Sequence, residues 1–155
     1  MERFTEKDLD KAIEAKFRKS GEFVTWFLSR TKFANRAANL VHLRSNHPWY
    51  QSETTGVQSE TDILVVFEDA GGSNRFAIHI ENKLSSGSFT ENQPDLYRER
   101  AAEWVGREKY GNYDDFEVVL IAPRAFYESN GDQCRIFDRY VAYEDIAEFI
   151  PEFGG

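Results

Sequence analysis

The sequence predicts an α/β fold in which a mixed central sheet is flanked by helices. Three observations support this prediction. Apolar residues recur at helical spacing near the N-terminus, two strand-like runs (TDILVVFE and RFAIHIENK) flank a glycine-rich turn, and a long helical pattern separates these runs from a continuous apolar stretch, FEVVLIA. A strand, a crossover helix and a further strand in this order are typical of a parallel pair within an α/β sheet.

Length and composition predict one domain, residues 1–155, with a substantial core. The chain is 41% hydrophobic and 15% aromatic, and its length lies within the usual range for a single domain. No apolar run reaches ~18 residues, and the charged N-terminus lacks the apolar segment of a signal peptide. We therefore expect no membrane partner. The single cysteine, Cys134, can form neither an internal disulfide nor a Cys/His metal cluster, so we expect a cytoplasmic protein.

The first 45 residues are predicted to be helical. Thr5 precedes apolar residues at three- and four-residue steps, and Asp8 three residues later suits a capped helix start. Aromatic residues after Gly21 continue the apolar face, and a further helix is predicted over 32–43. These helices would precede the strands of the sheet.

Residues 49–123 are predicted to carry the sheet, and 124–155 to close it. The predicted elements, in order, are a short strand over 49–55, two strands over 61–68 and 75–83, a helix over 91–109, a strand over 116–122, a closing strand over 139–143 and a short helix over 144–149. The turn at 71–74 makes the second and third strands a hairpin. The continuous apolar run at 116–122 is typical of a strand that is buried on both faces.

Three charged residues at the open ends of this hairpin are candidates for a catalytic site. Glu81 and Lys83 share one face of their strand, since side chains alternate along it, and Asp62 opens the partner strand. Antiparallel pairing can bring Asp62 close to Glu81. Two adjacent carboxylates repel each other, and a divalent cation removes that repulsion; carboxylate oxygens suit Mg²⁺ or Mn²⁺.

Lys83 adds a cation that can stabilise a pentavalent phosphate or hold an attacking water. Water bound to a metal ion is acidified and becomes a nucleophile near neutral pH. A metal, a lysine that faces an anion and a positioned water together predict hydrolysis of a phosphodiester bond.

The motifs around these residues resemble those of the PD-(D/E)xK nuclease superfamily. The resemblance rests on Thr61-Asp62 at the start of one strand, Ile80-Glu81-Asn82-Lys83 at the end of the next, and a QxxxY motif, Gln93 to Tyr97, on the following helix. That motif is similar to the one in RecB-type members, and the string IENKLSSGSFTENQPDLYRERA resembles a bacterial subgroup of nuclease-like proteins. The resemblance implies a restriction-endonuclease-like α-β-β-β-α-β core with extra N-terminal helices.

The resemblance also implies roles for individual residues. Asp62 and Glu81 would be metal ligands together with the backbone carbonyl of Asn82, the cofactor being Mg²⁺ or Mn²⁺. Lys83 would be the catalytic lysine. Gln93 and Tyr97 would line the site and orient the substrate phosphate or the lysine. Thr61 stands where the eponymous motif has proline, and the first-helix glutamate of some members has two possible counterparts here, Glu14 and Glu22.

Nucleic acid, with DNA as the default, is the expected partner of such a site. The net charge of −8 argues against a general nucleic-acid coat protein, but residues 1–45 carry ten bases and six acids, a net +4, whereas 46–155 carry nine and twenty-one, a net −12. The bases expected to contact phosphates are Lys16, Lys19, Arg30, Lys32, Arg36, Arg44 and, on the helix after the hairpin, Arg98 and Arg100. Membership in a homo-oligomer or in a larger defence or repair assembly is compatible with this interpretation.

Plainer interpretations exist for each of these features. The charge asymmetry could be ordinary variation of surface charge, and Glu81 with Lys83 could be a surface ion pair, which stabilises a protein little. Gln93 and Tyr97 could be a helix's packing face, Asp62 could cap a turn, and His79 could be a polar residue on a half-buried strand rather than a neighbour of the metal. A second hypothesis from another class is a nuclease-fold binding or assembly module without catalytic activity.

Overall fold

The computed structural model describes residues 4–45, 50–53, 56–90 and 92–154. Within them a five-stranded mixed sheet has the order β1-β4-β5-β6-β7, and a separate two-stranded ribbon pairs β2 with β3. The strands are β1 (Ala38–Ser45), β2 (Tyr50–Gln51), β3 (Gln58–Ser59), β4 (Ile63–Asp69), β5 (Arg75–Asn82), β6 (Asp115–Ala122) and β7 (Arg139–Ala142). Strand β4 is antiparallel to both of its neighbours, β1 and β5, whereas β5, β6 and β7 run parallel. The predicted α/β class with a mixed, helix-flanked sheet is confirmed.

Helices cover both faces of the sheet. They are α1 (Glu6–Lys19), α2 (Gly21–Ser29), α3 (Gln93–Glu103), α4 (Arg124–Ser129), α5 (Gly131–Cys134) and α6 (Tyr143–Ile146), with 3₁₀ turns at Glu108–Tyr110 and Pro151–Gly154. The aromatic face of α1 and α2 packs on Phe76, Ile78 and Ile80 of β5, while α3 packs on the opposite face of the sheet. No helix in these segments is both long and apolar enough to cross a membrane.

The predicted start of the first helix is confirmed in detail. Thr5 caps α1 by accepting a hydrogen bond from the Asp8 amide at 3.1 Å, and the Asp8 carboxylate accepts one from the Thr5 amide at 2.9 Å. Each bond satisfies a backbone donor that the first helical turn leaves without a partner, which is why this pair favours a helix start.

The hairpin and the crossover are also where the sequence predicted them. Strands β4 and β5 pair antiparallel from Ile63 with Ile80 to Glu68 with Arg75. Helix α3 then crosses over to β6, which is buried along most of its length. The helix is shorter than predicted, because the chain leaves it after Glu103 and Gly106 takes a positive φ of 75°.

The helix predicted over 32–43 is wrong, since β1 forms the edge of the sheet there. The register shifts between Leu40 and His42, so that Val41 lies in a β-bulge and is exposed. The bulge adds one residue between the inward positions, and Ala38, Leu40 and Leu43 all contact the core under α1. The inward residues are therefore two and then three residues apart, a spacing that resembles a helical period, which explains why a helix was predicted here.

Two other predicted elements differ from the structure. The strand predicted over 49–55 corresponds to the short ribbon strand β2, and residues 49, 54 and 55 of that prediction lie outside the described segments. The closing helix predicted over 144–149 is the shorter α6, Tyr143–Ile146.

Candidate active site

The hairpin register places the predicted carboxylates together. Ile63 pairs with Ile80, so that Asp62 and Glu81, one residue beyond this pair on each strand, face each other at the end of the sheet. The Asp62 carboxylate accepts a hydrogen bond from the Asn82 backbone amide at 2.9 Å. Strand pairing therefore holds Asp62 directly against the end of β5, as the sequence predicted.

Glu81 is buried at the centre of this group, with 3% of its surface exposed. Its Oε1 atom lies 3.3 Å from the Lys83 Nζ atom and accepts a hydrogen bond from Gln93 Nε2 at 2.9 Å. Its Oε2 atom is buried and has no hydrogen-bond partner among the described residues. One oxygen of a desolvated carboxylate is thus left unsatisfied, an arrangement that destabilises a protein.

Both carboxylates are held in conditions that favour their protonated forms. Burial raises the pKa of Asp62 to about 6, against the lowering effects of the hydrogen bond from the Asn82 amide and of the Lys83 charge. Burial also raises the pKa of Glu81 well above its usual value, and the nearby Asp62 raises it further while Lys83 lowers it. Such groups suit a site that a cation completes.

Helix α3 brings both residues of the QxxxY motif to this group of side chains. Gln93 reaches Glu81, as described above, and the buried Tyr97 hydroxyl accepts a hydrogen bond from the Asp62 amide at 3.0 Å. The same hydroxyl lies 3.4 Å from the Ile80 carbonyl, to which it donates. Burial raises the pKa of Tyr97 well above its usual value, so the hydroxyl stays protonated.

Lys83 is largely covered by the loop that follows β5. Its Nζ donates to the Ser88 carbonyl at 2.9 Å and lies 5.5 Å from the centre of the Phe89 ring. Asp62 and Gln93 remain partly exposed. Asp62 and Gln93 are therefore the members of this group that solvent reaches.

The Asn82 side chain points to a second, acidic group that sequence reasoning missed. Its Nδ2 atom donates to Asp10 Oδ1 at 2.8 Å, and its Oδ1 atom accepts a hydrogen bond from the Tyr143 hydroxyl. Burial, followed by repulsion from Asp62, raises the pKa of Asp10 to about 7. Glu6, on the same helix as Asp10, also contacts the chain after β5: the Glu6 Oε1 atom accepts a hydrogen bond from the Leu84 amide at 3.3 Å.

The two first-helix glutamates considered from the sequence lie elsewhere. Glu14 pairs with Arg18 at 3.3 Å and accepts a hydrogen bond from Ser45, and Glu22 is exposed on α2. A signal for Asp10 was present, because it lies three residues before the buried Ile13 and so occupies the inward face of α1. An acid on the apolar face of a helix is unusual enough to mark a site.

Asp62 and Glu81, with the Asn82 backbone carbonyl, are the groups that could hold a metal ion. Among the residues the structure describes, no group of three or more His, Cys, Asp or Glu side chains is arranged to hold one. A metal at this site would therefore have two carboxylates and a backbone oxygen as protein ligands, with water at the remaining positions.

The predicted phosphate-contacting bases are not gathered into one surface. Four of them are paired with acids: Arg30 with Asp145 at 3.8 Å, Lys32 with Asp115 at 2.7 Å, Arg36 with Asp69 at 3.8 Å and Arg98 with Asp138 at 2.5 Å. Lys32 and Arg36 lie at the opposite end of the sheet from Asp62, about 20 Å away along β5.

The other predicted bases differ from one another in position. Arg44, Lys16 and Lys19 have no ion-pair partner in the described segments, and Arg44 is paired in register with Leu64, at the same end of the sheet as the site. Arg100 is not a surface residue, since it is 1% exposed and lies behind the site. The expectation that it extends a phosphate-binding surface is wrong.

Comparisons with protein-family models, with curated proteins and with solved structures returned no match for this chain. Its function is therefore inferred from the geometry of the site.

Proposed function

We propose that this protein is a metal-dependent nuclease that hydrolyses phosphodiester bonds of nucleic acid, with DNA as the expected substrate. The observation that carries the proposal is the buried pair of carboxylates, Asp62 and Glu81, with Lys83 3.3 Å from Glu81 and one glutamate oxygen unsatisfied. A fold gains no stability from this arrangement, so its presence calls for a ligand.

The donor set fits Mg²⁺ or Mn²⁺. Asp62 and Glu81 supply hard oxygen ligands, the Glu81 Oε2 atom has no other described partner, and the Asn82 carbonyl would be a third ligand. When bound, such a cation neutralises the two carboxylates and supplies an acidified water as nucleophile.

The chain's own residues have distinct tasks in this reaction. Lys83, released from the Ser88 carbonyl, places its ammonium against the phosphate oxygens and stabilises the charge that develops on them. Gln93 holds the Glu81 carboxylate in place through its 2.9 Å hydrogen bond. Tyr97 fixes the Asp62 backbone and, being protonated, acts as an orienting group rather than as a base.

The order of elements supports a restriction-endonuclease-like core. Helix α1 is followed by the antiparallel strands β1, β4 and β5, then by α3 and by β6 parallel to β5. This is the α-β-β-β-α-β order that the motif resemblance implies, although the first strand comes from a segment predicted to be helical.

Cleavage of labelled DNA and RNA, each single- and double-stranded, tests the proposal. The parent protein should cut at least one substrate with Mg²⁺ or Mn²⁺ and should not cut in EDTA. Glu81→Gln should abolish cutting, because it removes a ligand charge while keeping the shape of the side chain.

Glu117→Gln is the matched control. Glu117 is also a buried glutamate on the sheet, 5% exposed, but it accepts a hydrogen bond from the Lys32 amide and lies 3.3 Å from Arg139, at the other end of β6. Equal losses in the two variants would contradict the proposal. Nucleic-acid binding without any metal-dependent cutting would favour the binding-module hypothesis instead.

A further inference from the structure

A chain of buried polar groups runs behind the site, from α3 to the start of β4 and back to α3. Arg100 Nε donates to Thr61 Oγ1 at 2.6 Å, and Thr61 Oγ1 lies 3.2 Å from His79 Nδ1. His79 Nε2 lies 3.0 Å from the Tyr113 hydroxyl, which donates to the Ala101 carbonyl. Arg100 is 1% exposed, and Thr61, His79 and Tyr113 are each fully buried.

Two donors in this chain can be assigned from the chemistry of their partners. The Tyr113 proton is directed to a carbonyl, so the Tyr113 oxygen accepts from His79 Nε2–H. Thr61 Oγ1 accepts from Arg100 Nε and lies within hydrogen-bond distance of His79 Nδ1. His79 therefore lies in a hydrogen-bond chain between Thr61 and Tyr113.

Arg100 also contacts the residue that holds Asp62. Its guanidinium carbon lies 4.2 Å from the centre of the Tyr97 ring, and the Tyr97 hydroxyl accepts the Asp62 amide proton. Arg100 thus acts on two consecutive residues just before β4. It donates a hydrogen bond to the Thr61 hydroxyl, and it contacts the Tyr97 ring, whose hydroxyl bonds the Asp62 amide.

Stability alone does not account for a buried arginine here. Its Nε atom donates to Thr61 and its Nη1 atom donates to the Ser59 hydroxyl at 2.5 Å, but its Nη2 atom is buried without a hydrogen-bond partner among the described residues, and burial lowers its pKa. A desolvated guanidinium group with one nitrogen unsatisfied lowers the stability of the folded state. A helix residue that only packed against the sheet would be apolar.

We propose that Arg100 is a positioning residue for the candidate site, which extends the QxxxY motif by a third position, three residues after Tyr97. Through Thr61 and Tyr97 it fixes the start of β4 so that the Asp62 carboxylate faces Glu81. The inference rests on the proposed function, because it assigns Arg100 a task in metal binding and catalysis.

The test uses Arg100→Lys and Thr61→Val in the full chain. Arg100→Lys keeps the charge but loses the planar fork that stacks on Tyr97 and reaches Thr61, and Thr61→Val keeps the shape while removing the hydroxyl. Thr61→Ser should restore what Thr61→Val loses. Thr31→Val is the control, because Thr31 is another buried threonine, 5% exposed, whose hydroxyl bonds the Leu28 carbonyl away from the site.

Two measurements separate positioning from general stability. Hydrogen exchange of the Asp62 amide, followed by NMR, reads the Tyr97–Asp62 hydrogen bond directly, and calorimetry gives the Mn²⁺ dissociation constant. Arg100→Lys and Thr61→Val should each speed the exchange about tenfold and weaken Mn²⁺ binding about tenfold, the scale expected for groups that orient metal ligands. Where DNA is cut, kcat should fall with KM for DNA little changed.

Unchanged exchange at Asp62 and unchanged Mn²⁺ affinity in both variants would overturn the inference, as would equal effects of Thr31→Val. A parent protein that binds no Mn²⁺ would overturn the proposed function instead. In that case Arg100 has no metal ligand to position, but faster exchange in the two variants would still show that it fixes Asp62.

Discussion

The two ends of the central sheet handle charge in opposite ways. At the end that carries the hairpin turn, Glu68 lies 2.8 Å from Arg75 and Lys32 lies 2.7 Å from Asp115, with all four side chains partly exposed. At the other end, Asp10 and Glu81 are buried beside Asp62, and Lys83 is the cation that contacts Glu81 directly.

The charges at the two ends differ in what they contribute to the stability of the fold. Partly exposed pairs are solvated and contribute about 0–1 kcal/mol each. Buried carboxylates that repel one another lower the stability of the folded state unless a ligand or a proton neutralises them. Folding explains the charges at the turn end of the sheet, whereas the proposed metal site explains the buried carboxylates at the other end.

Removal of the site lysine should have the largest effect. Lys83→Met should lower kcat for DNA cleavage by roughly 10³-fold, because an ammonium that stabilises developing phosphate charge contributes on the order of 3–4 kcal/mol. Lys32→Met removes an equally long cation from the turn end and should leave kcat within about twofold. A steady-state cleavage assay compares them, and similar losses in both would erase the contrast between the two ends.

Neutralising Asp62 should weaken metal binding and stabilise the metal-free protein. Asp62→Asn should raise the Mn²⁺ dissociation constant by about 100-fold, since one of two carboxylate ligands is lost. The same change removes the repulsion with Glu81 and Asp10, so the melting temperature in EDTA should rise. Calorimetry and thermal melts measure the two effects, and a lower melting temperature would count against repulsion at the site.

The stability of the metal-free protein should depend on pH through Asp10. Its pKa of about 7 in the folded state lies above the ordinary 3.8, so the folded protein binds this proton more tightly than the unfolded chain. The resulting stabilisation is fully present below pH 4 and is lost as the pH rises through 7, on the order of 4 kcal/mol.

Urea unfolding in EDTA at pH 5 and pH 8 measures this loss. Asp10→Asn should reduce the difference between the two pH values, whereas Asp115→Asn at the turn end should leave it unchanged. An identical pH dependence in the parent and in Asp10→Asn would show that Asp10 titrates normally.

The smallest effect is expected at the turn end itself. Lys32→Ala breaks the pair with Asp115, whose side chain is 48% exposed, and should change the free energy of unfolding by less than about 1 kcal/mol. Chemical denaturation gives this value. A loss of 3 kcal/mol or more would mean that pairs at this end are structural supports of the fold.

Local patterns in the sequence were enough to predict the hairpin, the crossover helix and the grouping of Asp62, Glu81, Lys83, Gln93 and Tyr97. Alternation along β5 and helical spacing along α3 are short-range properties, and the glycine-rich turn sets which strand ends meet. The restriction-endonuclease-like core and the nuclease activity stay predictions.

Tertiary structure alone decided the features that depend on distant partners. Strand β1 forms by pairing with the edge of β4, and its β-bulge gives the apolar residues a spacing that resembles that of a helix. Asp10 lies next to the site because Asn82, 72 residues away, donates a hydrogen bond to its carboxylate. Arg100 is buried where the Thr61 hydroxyl accepts its hydrogen bond and the Tyr97 ring packs against its guanidinium group. Burial and hydrogen bonding between segments far apart in the chain leave little trace in local periodicity, so they are visible only once the chain is folded.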